Sequence, residues 1–328
     1  MKFQIGYQNH RAFISYLLNH KDFISEIYFP WQNITTGRGI ISSGLENNLY
    51  EDLKAFSSSR IRLSLLLNGN CYGYKALSKE FYQELKKTVS FLIEEFSITG
   101  VTTASPVIAK ELKQQFPQLE IKASVNMEIG TCEGIEYLLD SFDSFYLKRE
   151  YNYDLERITR IKNICHNNGK KLYILGNSGC LNYCSARTFH DNLVAHQHEI
   201  DYTHNTIDFQ GHCTSFLATR DNKKNLLCKT NFIRPEDIHL YENICDGIKL
   251  ATRTNFNPLS IVHAYFNGKF HGNLLDLTEP AHSSLFPGQI IANKLIPSNY
   301  STQRFACNKI CEQCNWCQEV QEKATITL

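Results

Sequence analysis

Cys307, Cys311, Cys314 and Cys317 form a Cys-x3-Cys-x2-Cys-x2-Cys run that packs four thiols into eleven residues. A disulfide framework does not need that density. Soft-metal ligation does, because neighbouring thiolates can close on one ion or cluster. Structural zinc usually takes two separated Cys-x2–4-Cys arms, so this single run is closer to iron–sulfur spacing, with zinc as the alternative. Its first three cysteines have the spacing used by radical S-adenosylmethionine enzymes. In those barrels, however, the motif follows the first strand, and an enzyme of that kind is not expected here.

A second group, Cys180, Cys184, Cys213 and Cys228, is more widely spaced and shares its region with His190, His196, His198 and His204. Irregularly spaced thiols can ligate when a folded loop gathers them. Free cysteine is equally an ordinary small buried residue. His190 with Asp191 offers an acid–base pair or a second metal site, against the alternative of a solvated loop.

These residues must be positioned by something. Short β-branched or aromatic runs (Phe3–Tyr7, Glu26–Phe29, Arg62–Leu67, Val101–Ala104, Glu120–Val125, Ser144–Lys148, Lys171–Leu175, Gly247–Ala251) alternate with helical patterns such as Lys79–Phe96, Pro106–Gln115, Cys132–Asp140 and Leu155–Asn168. Regular βα alternation implies a parallel sheet. Eight such units over roughly 250 residues match a (β/α)8 barrel. A doubly wound sheet is the competitor, but no G-x-G-x-x-G follows the first strand. The expected fold is therefore an α/β TIM-type barrel over residues 1–271, interrupted after strand seven by a Cys/His-rich insertion at 176–229. A Cys-rich extension without strand–helix rhythm follows at 272–328, packed over the barrel mouth or side.

Barrel chemistry sits at the C-terminal ends of the strands. Arg149 and Glu150 end the sixth strand, and Lys249 and Arg253 end the eighth, so these charged groups face either substrate or each other. Asn68, Ser124 and Asn126 end other strands and could supply hydrogen bonds or cap the helices that follow.

Composition narrows the classes. Hydrophobic residues make up 42% and charged residues 20%, and the formal net charge is +1, which gives no whole-protein field for nucleic acid or a membrane surface. The basic stretch Arg220–Lys229 reads as a solvated loop. The opening MKFQIGYQNHRAF lacks the long apolar core of a signal peptide, and no run approaches the roughly 18 apolar residues of a membrane helix. A cytoplasmic protein with reduced thiols is the expectation.

Seven short motifs then fall in a familiar order: Glu26-Ile-Tyr-Phe29, Leu67-Asn68, Ala123-Ser-Val-Asn-Met127, Leu147-Lys-Arg149-Glu150, Gly179-Cys180, Arg234-Pro-Glu-Asp237 and Gly247-Ile-Lys-Leu-Ala-Thr-Arg253. This order resembles peptidase family U32, the collagenase-like peptidases, from about residue 3 to 255. The resemblance also implies a second kind of activity. Several members resemble oxygen-independent hydroxylation proteins that hold a 4Fe-4S cluster on four cysteines in and around the insertion. Carried over residue by residue, these are Cys180, Cys184, Cys213 and Cys228. The chain departs from the family by showing Arg187-Thr-Phe-His-Asp-Asn192 where an arginine- and cysteine-rich stretch is expected. The tail cysteines are a further departure.

The leading expectation is an iron–sulfur barrel with one or two 4Fe-4S clusters, or zinc at the tail. It would modify a small molecule, lipid precursor or peptide by a hydroxylation-type redox step. Arg149, Glu150, His190, Asp191 and Arg253 would be its site residues, and an electron donor or partner protein would serve it. The alternatives are a metal-dependent U32-type peptidase and a non-catalytic electron-transfer or scaffold subunit. No serine-nucleophile elbow, P-loop or H-E-x-x-H is present.

Overall fold

Alternating apolar and polar residues along eight short segments give strands with one face for helices and one for a barrel interior. The computed structural model describes residues 1–40, 46–204, 207 and 209–328. Its strands are β1 (Phe3–Gly6), β2 (Ile24–Phe29), β3 (Leu63–Leu67), β4 (Gly100–Thr103), β5 (Glu120–Ala123), β6 (Ser144–Tyr146), β7 (Lys171–Leu175) and β8 (Gly247–Leu250). Each pairs in parallel with the next, and β8 returns to β1 with Gln4 opposite Lys249, closing the barrel. The expected (β/α)8 TIM-type fold is what forms, and every expected strand lies within one or two residues of its place.

The outward faces carry Ile5, Ile27, Phe29, Leu63, Leu65, Val101, Ile121, Phe145, Ile174 and Ile248, all buried in one large cluster with the helices. The inward face is polar. Lys122 on β5 ion-pairs with Glu26 on β2 across the barrel and donates to Ser64 Oγ on β3 at 3.3 Å. Tyr146 on β6 donates to Gln4 on β1. Strands that are not neighbours meet only through the interior, so these contacts fix which way the residues point.

The helices begin where their sequences supply caps. Ser78 Oγ accepts from Phe81 N at 3.1 Å, and Ser105 Oγ accepts from Ile108 N at 3.3 Å ahead of Pro106 at the first helical position. Asp154 Oδ1 accepts from Arg157 N at 3.1 Å and starts the helix Leu155–Asn167. Among the described residues no helix is long and apolar enough to cross a membrane.

After β7 the chain leaves the rhythm for the insertion, built from the short helices Arg187–Ala195, Gln197–Ile200, His212–Leu217, Arg220–Lys223 and Leu226–Lys229. Residues 205, 206 and 208 of the insertion, and residues 41–45 of the barrel segment, lie outside the described residues. The tail is more regular than its sequence suggests. It holds the helices Tyr300–Phe305 and Trp316–Ala324 and an antiparallel pair, β9 (Gln289–Ile291) and β10 (Thr325–Thr327). Three-residue strands are too short to show a period, which is why the rhythm was not expected.

A second apolar cluster joins Leu217, Leu226 and Leu227 of the insertion to Tyr300, Val320 and Ala324 of the tail and to Tyr153 of the barrel. Buried Arg304 pins this junction, donating to Tyr300 Oη at 2.9 Å and to the Thr230 carbonyl at 3.1 Å.

The buried Lys122–Glu26 pair makes a test of the polar interior. Lys122→Met leaves a carboxylate unpaired in the barrel and is predicted to cost about 3–5 kcal/mol. Lys122→Met with Glu26→Gln should recover a large part of it. Chemical denaturation checks this, and a single-variant loss below about 1 kcal/mol would contradict the interior described here.

Candidate functional site

The strand ends converge on a cavity of about 310 Å³ at the C-terminal mouth of the barrel. Its floor is Tyr28, Leu66, Leu175 and Lys249, its rim includes Asn68, Asn126, Arg149 and Arg253, and the insertion and tail roof it. Ser124 Oγ accepts from Asn126 N at 3.2 Å and so caps the turn Val125–Met127. That turn presents Asn126 Oδ1 to Arg149 Nη2 at 3.0 Å. Asn68 Oδ1 accepts from Gly37 N at 3.2 Å and holds the loop that follows β2.

Arg149 is buried, and its Nη1 points to Cys180 Sγ at 3.8 Å, a long, weak contact between a guanidinium and a thiol. Cys180 itself follows Gly179, where the tail's Pro280 carbonyl approaches so closely that a side chain would collide with it.

The insertion contributes one helical face. Arg187, His190, Asp191 and Val194 stand at i, i+3, i+4 and i+7 on the helix Arg187–Ala195, and all four line the cavity. Arg187 joins this helix to the barrel. It pairs with buried Glu150 at 2.9 Å and with Glu128 at 3.1 Å, and donates to the Leu181 carbonyl at 2.8 Å. Burial alone would lower its pKa, but the negative groups around it hold it above the ordinary value. Glu150 also accepts from Tyr183 N at 3.1 Å. Burial depresses His190 below its usual value, with Asp191 opposing and Arg38 adding to the shift.

Basic groups dominate the walls. Arg38, Arg149, Arg187, Lys249 and Arg253 face the cavity with only two carboxylates, Asp191 and Glu279. Glu279 is already taken, because Arg38 donates to its Oε1 through Nε at 3.1 Å and Nη2 at 2.9 Å. Arg253 touches no carboxylate among the described residues and donates only to Thr36 Oγ1, at 3.2 and 3.3 Å. Its side chain fits because Gly6 ends β1. A Cβ there would lie 2.7 Å from Arg253 Cγ and 2.8 Å from the Tyr28 ring. Arg149 Nε and Asp191 Oδ2 are buried without a hydrogen-bond partner among the described residues. The arrangement suits an anionic ligand.

Of the site residues read from the sequence, Arg149, His190, Asp191, Arg253, Cys180, Cys184 and Cys213 line this one cavity. Glu150 lies behind it as a structural partner of Arg187. His196 and His198 do not line it, since His196 pairs with Glu199 at 2.6 Å and His198 packs on the Tyr202 ring. Arg38, Arg187 and Glu279 were not anticipated. For Arg187 a signal existed in its i, i+3, i+4 spacing to His190 and Asp191, whereas the Arg38–Glu279 contact spans 241 residues.

Cys228 lies outside this lining. It does not join Cys180, Cys184 and Cys213. It sits on the helix Leu226–Lys229 against the tail, where burial first and then Cys311 and Cys317 raise its pKa to about 12. Cys317 in turn is close to Cys307, Cys311 and Cys314. Of the four cysteines implied by the family resemblance, Cys180, Cys184 and Cys213 line the mouth cavity and Cys228 does not. No group of three or more His, Cys, Asp or Glu residues with metal-holding geometry occurs among the described residues.

The Glu150–Arg187 pair predicts a measurable coupling. Glu150→Ala strands a buried guanidinium between insertion and barrel and should destabilise the protein by about 3 kcal/mol. It should also open the 176–229 segment to limited proteolysis. Cleavage kinetics identical to those of the parent protein would refute that anchoring.

No family model matches the chain. An uncharacterized protease of Methanocaldococcus jannaschii is 26% identical over 311 residues, covering 91% of this chain and 88% of that protein. A solved U32 peptidase superposes with a TM-score of 0.55 at 15% identity, over 76% of this chain and 91% of its own, a likeness of fold. In motif order, in its curated relative and in its barrel, this chain resembles peptidase family U32.

Proposed function

We propose that this chain is a U32-type peptide hydrolase that works at the barrel mouth with Cys180 as nucleophile. The observation that carries the reading is the contact of Cys180 Sγ with the buried Arg149 guanidinium, inside a cationic cavity that His190 shares. The resemblance to a curated protease supports the reaction class. The excess of basic groups supports a peptide that carries a carboxylate, either its C-terminus or an acidic side chain.

The chemistry is a two-step acyl transfer. The Cys180 sulfur bonds to the scissile carbonyl carbon as its proton passes to His190, and Arg149 lies where it balances negative charge. His190 then protonates the departing amine as the C–N bond breaks. Water hydrolyses the resulting thioester, which releases the acid and restores the thiol. The lowered pKa of His190 keeps it neutral and ready to accept a proton near pH 7.

A library of peptides with acidic C-termini, followed by mass spectrometry, tests this directly. Cys180→Ala is expected to lower kcat/KM by about 10³-fold or more, while Cys184→Ala and a metal chelator leave it little changed. Hydrolysis that survives Cys180→Ala would reject the assignment.

One observation favours a second reading. Cys180, Cys184 and Cys213 open on the same cavity, as a soft-metal site requires. Cys228, Cys307, Cys311, Cys314 and Cys317 gather at the tail, for a second iron–sulfur or zinc centre. In that reading the mouth is a redox site for a small molecule, lipid precursor or peptide, supplied by an electron donor. Iron and sulfide content of anaerobically purified protein separates the two, with about four irons per chain for one cluster and about eight for two. Colourless, iron-free protein ends the second reading, and Cys314→Ala against Cys180→Ala assigns any iron found.

A further inference from the structure

Lys249 is the least explained charged group in the molecule. It is 7% exposed, ends β8 and opens on the mouth cavity. Its Nζ forms no ion pair or hydrogen bond among the described residues. Its recorded contacts are aromatic faces, with Nζ 3.9 Å from the Tyr28 ring centroid and 5.0 Å from that of Tyr146. Four residues on, Arg253 is half-buried and, among the described residues, donates only to a threonine hydroxyl. A buried lysine beside a half-buried arginine, with no carboxylate between them, costs stability unless a ligand supplies the charge or the lysine is neutral.

We propose that Lys249 is an imine-forming residue for a small oxo acid, an aldehyde or ketone whose carboxylate is received by Arg253. The Nζ lone pair attacks the carbonyl carbon, and the carbonyl π pair moves to oxygen, which takes a proton. The carbinolamine then loses its hydroxyl together with the remaining nitrogen proton as one water. A C=N bond replaces C=O with no net oxidation. The rings of Tyr28 and Tyr146 exclude water from this step and give Lys249 no anionic partner, so only the weaker attraction of their faces opposes loss of its proton.

The surroundings fit. Burial first and then Arg253 lower Lys249 to about 7, with Lys122 acting in the same direction and Glu26 and Glu279 against it. Tyr28 and Tyr146 face it from β2 and β6, and burial raises both phenols well above their ordinary value, so they remain neutral. At pH 7 the neutral fraction of such an amine exceeds that of a surface lysine by roughly a thousandfold. Arg253 is itself lowered to about 10, by burial before any other cause, and an arriving carboxylate would relieve that. The inference does not rest on peptide hydrolysis, and either can fail without the other.

The test is reductive trapping on the whole protein. Glyoxylate or pyruvate with cyanoborohydride, followed by peptide mapping, should place one secondary-amine adduct on Lys249 at least about a hundredfold faster than on any surface lysine. The rate should rise with pH through about 7 and then level off. Lys249→Arg should abolish the adduct with the melting temperature retained. Arg253→Met should slow trapping of glyoxylate by about tenfold or more beyond its effect on propanal, which has no carboxylate and registers only the lost influence of Arg253 on the Lys249 amine. Labelling spread over surface lysines with Lys249 unmarked would overturn the proposal, and because this reads the unmutated protein it does not depend on any variant folding. Equal trapping of glyoxylate and propanal on Lys249 would overturn the role of Arg253.

Discussion

The pairing of β8 with β1 is the constraint on which the rest depends. It closes the barrel, and closure forces eight strand ends to one mouth. Without it Arg253 would not meet Thr36 in the loop after β2, nor Lys249 the ring of Tyr28. The register that sets Gln4 opposite Lys249 also sends Glu26, Lys122 and Tyr146 inward. Packing one polar face into a closed sheet is costly unless each group finds a partner across the barrel. The Lys122–Glu26 pair provides that in the middle layer. Nearer the mouth, Lys249 and Arg253 have no carboxylate partner among the described residues, so the charge that is paired deep in the barrel is left unpaired where a ligand can reach it.

The insertion extends the same logic. A 54-residue excursion (176–229) hung on a barrel edge would be mobile if it met the barrel through solvent-exposed charges alone, because such pairs contribute about 1 kcal/mol or less. Here the joint is buried: Arg187 sits between Glu150 and Glu128 and also holds the Leu181 carbonyl. Breaking a buried pair costs several times more. Rigid anchoring at Arg187 is what allows the rest of its helix face to act as a wall, with His190, Asp191 and Val194 held over the strand ends.

The barrel was legible because its signals are local. Strand runs and their alternation with helical patterns lie within a few residues of what they specify, and the strands fall close to their expected places. Residues at strand ends were legible for the same reason, so Arg149, Cys180 and Arg253 were found. What escaped depends on long-range contacts. Arg38 reaches Glu279 across 241 positions, and neither residue carries a local mark of that meeting. The tail's short strands and the helix Tyr300–Phe305 escaped because three to six residues cannot display a period. The place of Cys228 was also hidden: the family resemblance sets it with Cys213, whereas in the fold it lies against the tail thiols and outside the mouth lining.

The last turn of the insertion explains why the thiols divide. Cys228 stands on a four-residue helix whose other buried positions, Leu226 and Leu227, belong to the cluster shared with the tail. Leu227 N also donates to Gln321 Oε1 at 2.9 Å, and Arg304 holds the Leu227 carbonyl. Rotating this segment to bring Cys228 to the mouth would expose two leucines, each worth about 1.5–3 kcal/mol when buried, and would break both hydrogen bonds. A single additional thiol at a site that already has three must outweigh that loss. The tail therefore decides where Cys228 goes, and Cys180 stands beside Arg149 in a cavity whose charged lining is mostly basic. The position of Cys228 and the wall that the insertion presents to the mouth thus depend on one physical feature, the apolar grip of the tail on the last turn of the insertion.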